Sequence, residues 1–270
     1  MRNKEDRSMN RIDKAFAELK AAGKKALITF VTAGDPDLDT TEKAVIEMFG
    51  NGADIIELGV PFSDPVAEGP VIQEASLRSL EGGTNLDKIF GIVINIRRKT
   101  DKPLLLMMYL NTIFRYGTER FFEKCRMTGI DGVIIPDMPY EEKDEVSAQA
   151  KANGVYSISL VTPVSKGRIG MIAKESEGFL YCVSSTGVTG MRSGFSTDFG
   201  EFFGEVYKYA KTPCCVGFGI SNPEQAKKMS EYCDGVIIGS AVVKLAAEHG
   251  KDYPAYAGTF VRDVRAALDK

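Results

Sequence analysis

The chain has 270 residues, of which 44% are hydrophobic and 26% are charged, and this size suits one large globular domain or two small ones. Its formal net charge of −3 gives no electrostatic reason to expect nucleic acid or an anionic membrane as the main partner. No apolar run approaches the length of a membrane span, and the polar residues 1–9 are expected to form a flexible lead-in without a secretory signal. Five cysteines without C-x-x-C spacing and one histidine indicate reduced, buried thiols in a cytoplasmic protein and argue against a metal site.

Apolar runs of strand length alternate with amphipathic stretches after a first predicted helix at residues 10–22. The runs are nearly continuous in Ile, Val, Leu and Phe, which is typical of strands buried on both faces of a parallel sheet. The predicted strands span residues 26–31, 55–58, 104–109, 132–135, 156–160, 179–183, 214–217 and 235–238. The predicted helices that follow span residues 39–51, 85–99, 118–128, 141–153, 166–174, 199–209, 223–229, 240–248 and 255–268.

Eight strands that alternate with helices predict an α/β fold, a single-domain (β/α)8 TIM barrel with an extra N-terminal helix, over residues 1–270. An open doubly wound sheet is the alternative. The strand count of eight favours the barrel, as does the lack of a G-x-G-x-x-G motif after the first strand. Because active sites of such barrels lie at the C-terminal ends of the strands, candidate functional residues are sought there.

Glu57 stands inside the apolar run of the second strand, where burial would raise its pKa toward the range useful for proton transfer. It is either a structural acid paired with a cation from elsewhere or a catalytic acid/base. The proline-stiffened loop that follows carries Asp64 and Glu68. These three carboxyl groups could form an acid/base set, although Asp64 also suits a turn and Glu68 a solvated loop.

Two glycine-rich turns follow the seventh and eighth strands, at residues 217–223 and at Gly239-Ser240. Glycines let backbone N–H groups approach an anion, and phosphate sites of these barrels use the same two loops. Plain turn glycines are the alternative. The polar, glycine-hinged segment 184–194 after the sixth strand has the composition of a lid that closes over ligand, or of an ordinary loop. Tyr181 just before it is either an inward-reaching site residue or a core tyrosine.

Four motifs resemble the tryptophan synthase alpha chain family, and the resemblance runs from about Arg11 to the last helix. The motifs are Phe-Val-Thr-Ala-Gly-Asp-Pro at 30–36, Glu-Leu-Gly-Val-Pro-Phe-Ser-Asp-Pro at 57–65, Gly-Val-Thr-Gly at 187–190 and Gly-Phe-Gly-Ile-Ser at 217–221. The resemblance implies aldol-type cleavage of indole-3-glycerol phosphate to indole and glyceraldehyde 3-phosphate. It implies no cofactor in this chain and an alpha2-beta2 assembly with a beta chain that holds pyridoxal phosphate.

The resemblance also implies roles for individual residues. Glu57 matches the catalytic glutamate, which protonates the indole ring carbon and takes the proton of the glycerol hydroxyl. Glu68 matches a second acid that stabilises positive charge at the indole N–H. Substrate-binding positions implied by the match are Phe30, Asp64, Met107, Pro136, Tyr181 and Thr189. Phosphate-binding positions implied by the match are Gly190, Phe218, Gly219, Gly239 and Ser240.

Two positions depart from the family pattern. Glu68 replaces the usual aspartate, and its extra methylene adds roughly 1.5 Å of reach, for which the Pro/Gly-rich loop is expected to compensate. Ser185 replaces a basic residue before the lid motif, and Arg192 is a possible substitute. Alternatives are therefore a catalytically weak barrel that mainly binds and activates a beta chain, or another phosphate-binding barrel such as an isomerase or indole-glycerol phosphate synthase.

Overall fold

A ring of parallel strands surrounded by helices forms the body of the protein in the computed structural model, which describes residues 9–165, 167–183, 198–217 and 219–270. Neighbouring strands pair in the order β5-β4-β3-β2-β1-β9-β8-β7-β6. In the described part of the chain the strands are β1 (Ala26–Thr32), β2 (Ile55–Gly59), β3 (Leu104–Met107), β4 (Gly132–Ile134), β5 (Tyr156–Ile158), β6 (Leu160–Val161), β7 (Leu180–Val183), β8 (Cys214–Gly217) and β9 (Gly235–Ile238).

The ring closes at Ser159, the one residue that separates β5 from β6. β5 pairs with β4 on one side, β6 pairs with β7 on the other, and β1 pairs with β9. The carbonyl oxygen of Ser159 accepts a hydrogen bond from the amide of Tyr181 at 2.9 Å, so pairing continues across the break. β5 and β6 are two halves of one barrel strand, and the predicted eight-stranded, single-domain TIM barrel is confirmed.

Helices cover the outside of the ring and reproduce most of the predicted pattern. Within the described residues they are α1 (Arg11–Ala21), α2 (Leu38–Gly50), α3 (Pro70–Glu81), α4 (Leu86–Arg97), α5 (Leu110–Tyr116), α6 (Thr118–Thr128), α7 (Asp144–Ala152), α8 (Ile169–Glu175), α9 (Phe199–Val206), α10 (Pro223–Ser230), α11 (Ser240–His249) and α12 (Tyr253–Leu268). Short 3-10 turns cover Tyr140–Glu142 and Gly250–Asp252. The predicted lead-in at 1–9 lies outside the described residues except for Met9.

Two helices, α3 and α5, were missing from the sequence prediction. The buried face of α3 combines Ile72 and Ala75 with the hydroxyl residues Ser76 and Ser79, so no continuous apolar stripe marks it. α5 has only 7 residues and directly follows the third strand, where its Leu110 and Ile113 read as a continuation of the apolar run. The prediction that one long strand fills 104–109 was wrong at its end. β3 ends at Met107, and Tyr109 already caps the N-terminus of α5.

Two apolar layers fill the fold, one inside the ring and one between the strands and the outer helices. Inside the ring, alternate residues of the strands point inward, as the two-residue period of a strand requires. Helix α1 closes the N-terminal end of the ring, where Ile12 and Phe16 are buried and the Phe16 ring lies 5.8 Å from that of Phe179. Among the described residues, no helix closes the C-terminal end of the ring in this way.

The cysteines and the single histidine have structural places in the fold. All five cysteines are free thiols and buried, which confirms the prediction from their spacing. His249 is half-buried at the end of α11, and its ring stacks on Tyr256 with 3.5 Å between centroids.

Asp131 joins α1, α4 and β3 at the N-terminal end of the barrel. Its side chain, 5% exposed, accepts hydrogen bonds from Arg97 Nη2 at 2.6 Å and from Arg11 Nη1 at 2.8 Å. It also accepts from the backbone N–H of Leu104 at 2.9 Å. Because Arg97 is itself only 10% exposed, removing the carboxylate would leave a buried guanidinium without its main counter-charge.

Asp131→Ala should therefore lower the free energy of unfolding by about 3–5 kcal/mol, as expected when one partner of a buried ion pair is removed. Denaturant unfolding followed by circular dichroism measures the change. Asp101→Ala is the matched control, because Asp101 is 94% exposed and lies 3.9 Å from Arg11, and its loss should cost less than about 0.5 kcal/mol. Equal effects of the two variants would show that the Asp131 network does not anchor α1.

Candidate active site

The carboxyl group of Glu57 lies inside the ring, at the level where β1, β2 and β3 carry Phe30, Glu57 and Leu105 side by side. The residue is fully buried, and neither carboxyl oxygen has a hydrogen-bond partner among the described residues. Burial raises the pKa of Glu57 to about 8. No cation of the described chain pairs with it, so the structure gives no support to a structural acid held by an ion pair.

A cavity of about 630 Å³, counting the space at its open mouth, lies above Glu57 at the C-terminal end of the barrel. It brings together carboxyl groups, an apolar wall and glycine-rich turns from strands on opposite sides of the ring. The lining residues are Phe30, Glu57, Ala67, Glu68, Ile72, Met107, Pro136, Leu160, Tyr181, Gly219, Ile220, Ile237, Gly239 and Ser240. The mixture of an apolar lining and a few polar groups is typical of a small-molecule site.

Glu68 reaches the cavity from the loop between β2 and α3. Its carboxylate accepts a hydrogen bond from the hydroxyl of Tyr109, and its backbone carbonyl accepts one from Gln73 Nε2 at 2.8 Å. Burial raises the pKa of Glu68, while the hydrogen bonds from Tyr109 and from backbone amides act against that rise. Two carboxyl groups in different surroundings therefore share one cavity.

Two glycines make room for the aromatic side chains of the cavity. A methyl group on Gly59 would lie 2.3 Å from Cζ of Phe30, and one on Gly217 would lie 2.5 Å from the hydroxyl oxygen of Tyr181. Phe30 and Tyr181 can therefore take their places only because the neighbouring strands carry no side chain there. Tyr181 is both a core residue and a cavity residue, and burial, followed by the nearby Glu57, raises its pKa well above the ordinary range.

The part of the cavity lining that follows β8 and β9 is formed by backbone rather than by charged side chains among the described residues. Gly219 has a φ of +90°, a left-handed conformation that favours glycine, and Gly239 precedes α11, whose first residue is Ser240. The first amides of a helix have no intrahelical acceptor and carry the positive end of its dipole. This wall can therefore accept an anionic group without a lysine or arginine.

An ion pair connects helix α3, which follows the loop that carries Asp64 and Glu68, to the turn after β1. Arg78 of α3 donates to both oxygens of Asp35, at 2.8 and 2.9 Å, and Asp35 is 2% exposed in the turn after β1. Ser79 donates to the carbonyl of Ala33 at 2.6 Å. Since α3 also supplies Ile72 to the cavity, these contacts fix one wall of the site relative to β1.

The structure places the predicted site residues in three groups. Nine of them line the one cavity: Phe30, Glu57, Glu68, Met107, Pro136, Tyr181, Gly219, Gly239 and Ser240. Asp64 lies outside its lining, exposed on the loop, where its carboxylate accepts from the hydroxyl of Ser63. Thr189, Gly190 and Phe218 lie outside the described residues, as do Ser185 and Arg192 of the predicted lid.

The sequence analysis did not predict several residues at or beside the cavity. Leu160 and Ile237 lie on predicted strands at inward positions, so strict two-residue alternation could have found them. Ile72 was missed together with helix α3. Ala67 and Ile220 lie in loops beside predicted site residues, and Tyr109 was taken as the end of a strand. Its hydroxyl contact with Glu68 spans 41 positions of sequence, which no local pattern reveals.

In the parts of the chain that the structure describes, no group of three or more His, Cys, Asp or Glu side chains could hold a metal ion. A search of the same residues finds no helix of the length and apolarity that a membrane crossing requires. Proton transfer and anion binding are the chemistry that the cavity's own groups offer.

The fold and the cavity define an enzyme-type TIM barrel, whose cavity is lined by two acids and by glycine-rich turns. A family model described as tryptophan synthase alpha chain matches residues 16–264, and the chain belongs to that family. It is thus an enzyme subunit of the lyase class, as the sequence motifs predicted.

Known relatives agree over nearly the whole chain. The tryptophan synthase alpha chain of Thermoanaerobacter pseudethanolicus is 50% identical over 240 residues, which are 89% of this chain and 92% of the relative. The crystal structure of tryptophan synthase subunit alpha from Legionella pneumophila is 37% identical with a TM-score of 0.87, covering 97% of this chain and 99% of that one. A chain of the tryptophan synthase complex from Pyrococcus furiosus is 31% identical with a TM-score of 0.82, covering 90% and 99%.

The buried carboxyl of Glu57 should make stability fall with rising pH. Its pKa is about 8 in the folded protein against an ordinary 4.5, so between these values the folded state binds the extra proton and the free energy of unfolding decreases. Glu57→Gln removes the effect, and its stability relative to the parent should rise from pH 5 to pH 9 by up to roughly 5 kcal/mol.

Urea unfolding at several pH values measures this difference. Glu145→Gln is the control, because Glu145 is exposed on α7 and its replacement should leave the pH dependence unchanged. Parallel stability curves for the parent and Glu57→Gln would mean that Glu57 titrates near its ordinary value and that the cavity is wetter than its geometry indicates.

Proposed function

We propose that this chain cleaves indole-3-glycerol phosphate to indole and glyceraldehyde 3-phosphate by a retro-aldol reaction in the cavity above Glu57. The observation that carries the proposal is a fully buried carboxyl group without a partner, with its pKa raised to about 8. Near neutral pH such a group holds a proton and can still release it, which suits an acid that later acts as a base.

The reaction needs one proton donated and one removed, and Glu57 can do both. Its carboxylic acid gives a proton to the indole ring carbon that bears the glycerol chain. The resulting carboxylate then takes the proton of the adjacent glycerol hydroxyl, whose oxygen becomes the aldehyde oxygen. The carbon–carbon bond breaks, and its electron pair returns to the indole ring, so Glu57 ends the cycle protonated as it began.

Glu68 would stabilise the charge that the first proton transfer creates. Protonation of the ring carbon places positive charge on the indole nitrogen, and an ionised Glu68 can accept the N–H hydrogen bond there. Phe30, Met107 and Pro136 supply apolar surface for the ring, and all three line the cavity with the two acids. The family's usual aspartate is shorter, and Glu68 here is held in the lining by Tyr109.

The phosphate would lie against Gly219, Gly239 and Ser240, where backbone amides and the N-terminus of α11 favour an anion. Gly190 and Phe218 are proposed for the same group, and Asp64 and Thr189 for the rest of the substrate, on the family match alone. These proposed contacts orient the substrate, with its ring toward Glu57 and Glu68 and its phosphate toward the glycine turns.

A beta chain is the proposed protein partner, in an alpha2-beta2 assembly. Support comes from the family and from the Pyrococcus furiosus neighbour, whose title describes a tryptophan synthase complex. Pyridoxal phosphate is expected in that partner, and no cofactor is expected in this chain. We also propose that the protein works in the cytoplasm, in keeping with its buried free thiols. Residues 1–270 are proposed to form a single domain.

Glu57→Gln should lower the cleavage rate by about 10³-fold or more, because glutamine keeps the shape of the side chain but can neither donate nor accept the catalytic proton. Release of indole from indole-3-glycerol phosphate, measured with and without a beta chain, tests this. Glu145→Gln should retain the parent rate. Near-normal turnover by Glu57→Gln would remove Glu57 from the mechanism, and a parent rate at background in both assays would favour a barrel that only binds and activates its partner.

Gly219→Asp should raise KM for indole-3-glycerol phosphate by roughly 10- to 100-fold, because a carboxylate would lie directly beside the phosphate. Steady-state kinetics and competition by inorganic phosphate measure the loss. Gly23→Asp is the control for backbone strain, since Gly23 has a φ of +66° and open space around it at the other end of the barrel. An unchanged KM in Gly219→Asp would place the phosphate elsewhere.

A further inference from the structure

The hydroxyl group of Tyr109 joins three points of the loop that carries Glu68. It donates a hydrogen bond to Oε2 of Glu68, and it accepts hydrogen bonds from the backbone amides of Val66 at 2.8 Å and Ala67 at 2.9 Å. Tyr109 itself belongs to the next segment of the barrel, directly before α5. One phenol therefore links the second and third βα loops at the mouth of the cavity.

These three hydrogen bonds use the full capacity of a phenol. A tyrosine hydroxyl has one proton to donate and two lone pairs with which to accept. Because both lone pairs are occupied by backbone N–H groups, the single proton can point only toward Glu68. The arrangement fixes the direction of the hydrogen bond, so Glu68 is the acceptor, and a carboxylate accepts better than a carboxylic acid.

The ring of Tyr109 is held as firmly as its hydroxyl. It stacks on Phe62 with 4.7 Å between centroids and an angle of 19°, and Tyr109 is 4% exposed. The next residue, Leu110, donates its amide to the carboxylate of Asp137 at 3.0 Å. Tyr109 thus has a fixed place at the end of β3, from which it can impose a position on the more exposed loop.

We propose that Tyr109 is the positioning residue for Glu68, holding its carboxylate ionised and aimed into the cavity, and that this contact accommodates the glutamate where relatives of the family carry aspartate. The inference rests on the proposed function, because it assigns Tyr109 to the step in which Glu68 meets the indole N–H. Without the Tyr109 hydroxyl, the backbone amides of Val66 and Ala67 would lose their acceptor. The side chain of Glu68, which is longer than that of an aspartate, would then sample several rotamers.

Tyr109 also sets the pH range in which Glu68 is charged. Burial raises the pKa of Glu68, and the nearby carboxylate of Asp137 adds to the rise, whereas the hydrogen bond from Tyr109 lowers it. Among the described residues, Glu57 and Tyr181 are the other titratable groups in the cavity lining. Loss of the Tyr109 hydroxyl should therefore move the acidic limb of the pH–rate profile to higher pH, while the alkaline limb set by Glu57 stays in place.

Tyr109→Phe should lower kcat for indole-3-glycerol phosphate cleavage by roughly 10- to 100-fold with little change in KM, because the lost contact acts on the charge that develops during the reaction. Tyr116→Phe is the matched control. Tyr116 also donates to a carboxylate, that of Asp87 at 2.6 Å, but it lies at the far end of α5 outside the cavity lining. The control should keep the parent kinetics and pH profile.

A double-mutant cycle separates positioning from general damage. If Tyr109 acts through Glu68, then Tyr109→Phe should cost nothing further in a Glu68→Ala background, because the group it positions is already gone. Independent, multiplying losses would overturn the proposal. So would a Tyr109→Phe enzyme that matches the parent in kcat and in the acidic limb.

Amide hydrogen exchange provides a readout that needs no activity. In Tyr109→Phe the amides of Val66 and Ala67 should exchange faster than in the parent and in Tyr116→Phe, while the core strands keep their protection. Unchanged exchange at both amides would overturn the proposal even if activity fell. A parent chain that does not cleave the substrate would instead end the proposed function, and the exchange measurement would still test the contact.

Discussion

Desolvation of a single carboxyl group is the constraint on which the site depends. Glu57 is an inward-facing residue of a closed ring, with apolar side chains around it and no cation among the described residues to pair with it. The neutral form is therefore favoured in the fold, and it is the form that can donate a proton. Any change that admitted water or a positive charge to this level of the barrel would return Glu57 to ordinary acidity.

The second acid works under different conditions, although it shares the cavity. Glu68 is only partly buried, and it receives hydrogen bonds that stabilise its ionised form. Environment rather than residue type therefore separates the two glutamates, because burial alone acts on the pKa of Glu57, whereas hydrogen bonds oppose the effect of burial on the pKa of Glu68. The division places one carboxyl group deep in the ring and the other at its rim, on the loop between β2 and α3.

The N-terminal end of the barrel carries contacts that stabilise the fold, and the C-terminal end carries the cavity. At the N-terminal end, α1 closes the ring and Asp131 ties three elements together through charged hydrogen bonds. At the C-terminal end, glycines and loops leave open space in which Phe30 and Tyr181 flank the acids. Because α1 and Asp131 stabilise the fold at the N-terminal end, the interior of the ring below the cavity can keep an unpaired buried acid.

Local sequence determined the strands, most helices, the barrel and the motifs at strand ends, because two-residue and helical periodicities are written in neighbouring residues. It could not show α3, whose buried face carries serines, or the break at Ser159. Only the tertiary structure decided that Glu57 has no counter-ion among the described residues, that Asp64 stays outside the cavity lining, and that Tyr109 holds Glu68. Those facts depend on contacts between distant parts of the chain, and desolvation and hydrogen bonding exist only once the ring has closed.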